Sequence, residues 1–143
     1  MKPAAFVPGF RFSVVDGLVL VGGVMGTIAL SIFAWWQGFV LGFVIAHFFL
    51  FCNVVRMARP LELLWGGVFV ALAGATIAMD TPGWLVTTGV SLSVTVIAVI
   101  VQIRNPEYHG VGWKWINPGL PAWWEARIAK QAGGQPVAPA DGL

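Results

Sequence analysis

Charge, cysteine and histidine are all scarce in this chain, and each scarcity removes a class of function. Only 10% of the 143 residues are Asp, Glu, Lys or Arg, against 58% apolar, too high an apolar share for a water-soluble domain to confine to one core. The single cysteine, Cys52, excludes an intramolecular disulfide and any metal site built on a cysteine pair. The sequence contains no H-E-x-x-H, no glycine-rich phosphate loop, no G-x-S-x-G and no cluster of acids suited to two-metal chemistry. A self-contained catalytic site is therefore not expected. Basic residues are missing from two places in particular, Trp35-Trp36-Gln37-Gly38 and Asp80-Thr81-Pro82, and both absences bear on topology.

What the chain has in abundance is long apolar sequence. Four runs, at 14–36, 38–55, 61–79 and 83–102, each approach the ~20 residues that a bilayer's hydrocarbon core requires. The two connections without basic residues join the first run to the second and the third to the fourth. All eight Lys and Arg residues lie elsewhere: Lys2 and Arg11 before the first run, Arg56 and Arg59 between the second and third, and Arg104, Lys114, Arg127 and Lys130 after the fourth. Threading the runs through a membrane places every cation on one side, and the positive-inside bias makes that side cytoplasmic, with both termini. The fold expected is an all-α integral membrane protein of four transmembrane helices in two antiparallel hairpins, followed by a short interfacial helix. The first run is too long and glycine-rich for a signal peptide and is expected to remain as a span. The net charge of +2 sits in membrane-flanking segments, where anionic lipid is the default counter-charge, so the bilayer is the expected partner and nucleic acid is not.

The chain divides into an interfacial strip (1–13), the bundle (14–102), a tryptophan-rich interfacial segment (103–132) and a tail (133–143) with the composition of disorder. Gly22 and Gly26, Gly38 and Gly42, and the stripe Gly67, Ala71, Gly74 and Ala78 have spacings that let helix backbones approach closely. Trp35, Trp36 and Trp84 mark the outer boundary, and Trp113, Trp115, Trp123 and Trp124 the inner one. Thr87, Ser91 and Thr95 recur every fourth residue; hydroxyls so placed bond back to the preceding turn and favour packing over a polar pathway. A helix over 121–131 is expected, with Pro121 in its first turn, Trp123, Trp124 and Ile128 on one face, and Glu125 and Lys130 on the other.

His47 falls near the middle of the second run, where an imidazole is costly and marks a ligand, a proton path or an interhelical hydrogen bond. As a cofactor ligand it would bind the metal of a haem or a chlorin. Six-coordinate haem would then need a second axial group: His47 of another copy or Met25, since His109 belongs to the tail and Met79 lies at the wrong depth. That count favours a neutral His47 bonded to a hydroxyl such as Thr27, Ser31, Ser91 or Thr95. A second constellation comprises Asp16, Asn53, Arg56, Arg59, Glu62 and Arg104, all at the cytoplasmic ends of spans. Asn53 and Arg56 share a helix face, Pro60 starts the third helix, and Glu62 lies at its positive dipole end. Asp16 is expected to pair with Arg56 or Arg59, and Glu62 with Arg104. The nearby Glu107-Tyr108-His109 adds an acid, a phenol and an imidazole, too few ligands for a metal by themselves.

With four spans the chain resembles the small multidrug exporters in size alone. Those exporters carry a membrane-embedded glutamate in their first span, where this chain has only Asp16, at the edge, so their activity is not carried over. The reading that remains is a non-catalytic protein of the bacterial inner membrane, an accessory or assembly subunit whose partners are other membrane subunits or a second copy. A haem- or chlorophyll-binding subunit using His47, and a small transporter or channel lined by Thr87, Ser91 and Thr95, are the alternatives.

The topology has a direct check. In a Cys52→Ala background, cysteine at position 37 or 80 should react with an impermeant maleimide on intact cells, and cysteine at 59 or 114 only after permeabilisation. Labelling of position 59 from outside would reject the four-span arrangement.

Overall fold

The computed structural model describes residues 8–133, so Lys2, the first half of the interfacial strip and all of the tail after Gly133 lie outside the described residues. Every regular element within that range is helical. Four helices are long and apolar enough to cross a membrane: α1 (Val14–Phe33), α2 (Trp35–Phe49, continued by a π-helical segment, Leu50–Val55), α3 (Arg59–Met79) and α4 (Trp84–Ile103). Two shorter helices follow, α5 (Trp113–Ile116) and α6 (Leu120–Gly133).

Local sequence explains where these helices begin and stop. Ser13 caps α1 in a capping box: its hydroxyl accepts from the Asp16 N–H at 3.2 Å, while Asp16 Oδ2 accepts from the Ser13 N–H at 2.7 Å. The first turn of α3 holds Pro60, whose missing N–H costs nothing there, and Glu62, which faces the positive end of the helix dipole. At the start of α4, Gly83 adopts φ +90°, a conformation that L side chains resist. The α1–α2 connection is shorter than expected. Ala34 alone, in extended conformation, ends one helix and starts the next, and Trp35, Trp36 and Gln37 form the first turn of α2 instead of a loop. Indole packing accounts for the difference: Trp84 lies 5.9 Å from Trp35 and 6.2 Å from Trp36, ring centre to ring centre, which holds both inside the helix.

In lipid, apolar contact between helices gains little over contact with acyl chains, so close packing and hydrogen bonds must hold the helices together. Along α1 and α2 close packing dominates. A methyl group added at Gly23 would lie 2.9 Å from Ile45, one at Gly26 2.9 Å from Leu41, and one at Gly42 3.1 Å from Thr27. At Gly38 it would meet Ser31 Oγ and, at 2.6 Å, the Thr27 carbonyl. The expected small-residue contact is thus made by Gly26, Gly38 and Gly42, with Gly23 taking the place of Gly22, which faces open space. The stripe on α3 instead faces away from the bundle among the described residues: Gly67, Ala71, Gly74 and Ala78 are all exposed, and a methyl added at Gly67 or Gly74 would meet nothing within 4 Å.

Between α3 and α4 the hydroxyl stripe supplies the bonds. Thr87 and Ser91 are fully buried and Thr95 nearly so. Ser91 Oγ donates to the Thr87 carbonyl at 2.7 Å and Thr95 Oγ1 to the Ser91 carbonyl at 2.8 Å. Two further bonds cross the interface: Thr76 and Thr87 share a hydroxyl hydrogen bond of 2.9 Å, and Trp65 Nε1 donates to the Ser91 carbonyl at 3.2 Å. Aromatic rings join α2 to α3, with Phe43 packed on Trp65 and Phe69, and Trp65 stacked on Phe69 at 5.4 Å and 8°.

The end of the bundle that carries Arg56 and Arg59, hereafter the basic end, is closed by chain from three directions. The carbonyls of the π segment accept hydrogen bonds from Met57 N–H on Phe51, Arg11 N–H on Asn53 and Val111 N–H on Val54, at 2.8, 3.3 and 2.8 Å. Gly9 N–H also donates to the His109 carbonyl at 2.8 Å, which ties the strip before α1 to the loop after α4. Leu120, 1% exposed, anchors the start of α6.

These contacts rank the glycines. A Cβ at Gly110 would lie 2.5 Å from the Val55 carbonyl and 2.8 Å from that of Val54, both backbone atoms that cannot move aside. Gly110→Ala should destabilise the protein by about 2 kcal/mol or more. Gly89→Ala, at an exposed helical position with nothing within 4 Å, should be neutral or slightly stabilising. Thermal unfolding in mild detergent, followed by tryptophan fluorescence, separates the two; equal behaviour would mean that Gly110 does not dock against α2.

Candidate functional site

His47 lies on the buried face of α2, 6% exposed. Its ring stacks on Trp65 at 4.4 Å and 18°, with Phe43 at 4.3 Å and the edge of Phe51 at 5.6 Å. The hydrogen bond differs from expectation: Nδ1 lies 2.8 Å from the carbonyl of Phe43, one turn earlier in the same helix. A carbonyl can only accept, so Nδ1 carries the proton and Nε2 keeps a lone pair. None of the hydroxyls expected to serve His47 does so, because each bonds back into its own helix: Thr27 to the Gly23 carbonyl and Ser31 to that of Thr27, as Ser91 and Thr95 do in α4. A serine or threonine four residues past a carbonyl reaches it with no interhelical geometry to satisfy.

The polar cluster at the basic end separates into two groups. In the first, Asp16 and Asn53 come together. The nitrogen of the Asn53 amide, assigned from the acceptors around it, donates to Asp16 Oδ2 at 3.2 Å and to the Arg11 carbonyl. Asn53 is 2% exposed, and with its own carbonyl accepting from Arg11 it pins the strip before α1 to the end of α2. The Asp16 carboxylate thus serves its helix cap and Asn53; the ion pair with Arg56 or Arg59 expected from depth alone overlooked the Ser13-x-x-Asp16 pattern.

In the second group, Arg56, Arg59 and Glu62 line a cleft of about 390 Å³ at the basic end, together with Asn105, Glu107 and His109 from the loop after α4. Glu62 pairs with Arg59 at 3.7 Å, one turn away, and accepts from Cys52 Sγ at 3.6 Å. Arg104, the partner expected for Glu62, is instead an exposed residue at the end of α4 and does not line the cleft. Arg56 has φ +53°, a left-handed conformation that is uncommon for a residue other than glycine and stores strain. Burial, with the charge of Arg11 adding to it, pulls its guanidinium below the usual arginine range.

Two further residues matter here: Gln102, which was not singled out from sequence, and Tyr108, which sequence marked only as the phenol of the Glu107-Tyr108-His109 loop. Gln102, 4% exposed near the end of α4, donates from Nε2 to the Arg56 carbonyl at 3.2 Å and accepts the Ala58 N–H on Oε1 at 3.3 Å, clamping the α2–α3 turn. Tyr108, 2% exposed, donates from its hydroxyl to the Val111 carbonyl at 2.7 Å. Burial pushes its phenol above the usual range and keeps it a neutral donor. A lone glutamine in an otherwise apolar run was the available signal for Gln102. Glu107 and His109 flank Tyr108: Glu107 bonds Arg127 of α6 at 2.8 Å, and His109 Nδ1 donates to the Glu107 carbonyl at 2.8 Å. Among the described residues no three His, Cys, Asp or Glu side chains come together to hold a metal ion.

His47 is open to a direct test. Its hydrogen bond lies within its own helix, so His47→Gln and His47→Leu should each cost about 1 kcal/mol or less beyond lost ring stacking, and the protein should still accumulate in membranes. Purified wild type with a Soret or chlorin band that both variants lose would instead assign Nε2 to axial ligation.

The chain matches no family model, no curated protein and no solved structure, so its functional reading rests on these residues.

Proposed function

We propose that this protein is a non-catalytic subunit of a larger membrane assembly, inserted in a bacterial inner membrane as two antiparallel hairpins with both termini cytoplasmic. The supporting observation is the contrast between the two sides of its helices. Inward, polar side chains of the spans bond to backbone or to one another: Thr76 with Thr87, Trp65 with Ser91, His47 with Phe43. Outward, two helices carry faces patterned for another helix. Val14, Leu18, Val21, Met25, Ile28 and Ile32 of α1 alternate at spacings of four and three, the pattern of a coiled-coil seam, and each is more than half exposed. On α3 the exposed Gly67, Ala71, Gly74 and Ala78 form a shallow groove, and added methyl groups at Gly67 and Gly74 would meet nothing within 4 Å. Glycine gives lipid little to pack against and lowers helix propensity, whereas a second helix gains close approach from it. The cations support that orientation, since those of the described residues lie at the basic end and beyond α4. The amphiphilic α6 fits an interfacial anchor on the same side, with Trp123, Trp124 and Ile128 half-buried and Glu125 and Lys130 exposed.

A second reading, a haem- or chlorin-bearing subunit, is favoured by one observation. The Nδ1–H bond to the Phe43 carbonyl fixes the tautomer that leaves Nε2 as a donor of electrons to a metal, the arrangement metal-ligating histidines commonly use. The transport reading gains no comparable support, since Thr87, Ser91 and Thr95 are engaged in the α3–α4 interface.

Extraction in mild detergent, with mass spectrometry of co-purifying subunits and absorbance of the same sample, tests both. The assembly reading expects a stoichiometric partner or a defined homo-oligomer, lost on replacing Gly67 and Gly74 by leucine while the variant's own unfolding temperature stays within a few degrees. A colourless monomer, unchanged by those substitutions, would reject it.

A further inference from the structure

The cleft at the basic end has a charge pattern that assembly does not require. Two guanidinium groups, Arg56 and Arg59, and two carboxylates, Glu62 and Glu107, line the same 390 Å³ space, where Asn105 and His109 add polar atoms. A simple anion there gains from the arginines and is repelled by the acids, and a simple cation meets the reverse. A ligand that carries both charges a few bonds apart satisfies both pairs. The first turn of α3, which supplies both Arg59 and Glu62, also brings the positive end of a 21-residue helix to the cleft, an end that favours an anionic group. The cleft is walled by the ends of α2, α3 and α4, where the candidate spans pass into polar chain, which is headgroup depth in the insertion proposed above. Its scaffold is rigid: both amide atoms of Gln102, another wall residue, are bonded to the α2–α3 turn.

We propose that this cleft binds a zwitterionic phosphate–ammonium group of the phosphoethanolamine kind, the phosphate on Arg56 and Arg59 and the ammonium on Glu62 and Glu107. Two ion pairs open to admit it, Arg59–Glu62 at 3.7 Å with Arg59 largely exposed and Glu107–Arg127 at 2.8 Å with both side chains about half exposed, and exposed pairs of this kind are weak. Arginine suits the phosphate because its planar fork bonds two oxygens at once. Carboxylates suit a primary ammonium, whose N–H groups donate to them, and not a trimethylammonium, which has none. The group could reach the cleft as a membrane lipid or as a soluble phosphoethanolamine, and the chemistry of recognition is the same. This inference does not depend on a partner subunit or on His47.

The test uses the full chain, delipidated in detergent, with mixed micelles of phosphatidylethanolamine, phosphatidylcholine or phosphatidylglycerol and, separately, soluble O-phosphoethanolamine. Native mass spectrometry reads the retained lipid and thermal unfolding reads its effect. Wild type should retain phosphatidylethanolamine over both other lipids and unfold at a higher temperature with it. Arg59→Gln, at an exposed position, should weaken that binding roughly threefold to tenfold without moving the lipid-free unfolding temperature. Glu62→Gln with Glu107→Gln should reverse the preference toward phosphatidylglycerol, a change that loss of structure would not produce. Competition by O-phosphoethanolamine at millimolar concentration would identify a soluble source, and its failure to compete a membrane lipid. Equal retention of the three lipids by wild type, together with no binding of O-phosphoethanolamine, would overturn the proposal, as would a preference untouched by the double glutamine variant.

Discussion

The basic end of this molecule depends on how the carbonyl groups at the end of α2 are satisfied. A helix that widens to a π turn over its last six residues ends in carbonyls that its own turns leave largely unmet, and a buried backbone acceptor left unmet costs about 1–3 kcal/mol. Here they are met from the strip before α1, from the turn into α3 and from the loop after α4, through Arg11, Met57 and Val111. The remaining features of that end serve these three bonds. Gly110 lets the loop approach Val54 and Val55 without a side chain between them, Tyr108 holds the loop's curvature from its buried hydroxyl, and Gln102 fixes the turn that carries Met57. Asn53, inside the π segment, takes the N-terminal strip with both its amide and its carbonyl.

Across the spans a different economy operates. Each hydroxyl spends its donor on a carbonyl one turn back or on a facing helix, and the indole of Trp65 adds a bond to the Ser91 carbonyl that Thr95 already uses. Such bonds contribute modestly in lipid, about 0.6 kcal/mol on average, so no single one holds the bundle. Their larger effect is on register. Thr76 with Thr87, and Trp65 with Ser91, fix how far α3 can slide along α4, while the ring stack of Phe43, His47, Trp65 and Phe69 does the same for α2 and α3.

How much of this can be read from sequence depends on the range of the interaction. The four spans follow from composition alone, since ~20 apolar residues suffice to specify each. Pro60 and Glu62 mark the start of α3, and depth groups Asp16 with Asn53 in one cluster without showing that these two bond to each other. Contacts of high sequence separation leave no such trace. Nothing in Leu50-Phe51-Cys52-Asn53-Val54-Val55 distinguishes a π turn from an α turn, and Gln102 clamps a carbonyl 46 residues away that its own neighbours do not announce. The direction of a small-residue stripe is equally silent: Gly38 and Gly42 face α1, whereas Gly67 and Gly74 have the same kind of spacing and face outward. His47 shows a third limit, in that proximity to hydroxyls suggested a partner on another helix while the carbonyl of Phe43 stood closer at no geometric cost.

The docking of Val111 onto Val54 also orders events during synthesis. The ribosome makes α1 and α2 well before residue 111 exists, so for that interval the Val54 carbonyl lacks the partner it has in the finished chain, while those of Phe51 and Asn53 already have Met57 and Arg11. The arginine-bearing turn that follows suits that wait, because it keeps the helix end at the aqueous boundary until the chain after α4 arrives. Closure of the basic end is therefore a late event that joins the middle of the chain to its last third, and a product that stops before Tyr108 would keep its spans yet leave that end open to water.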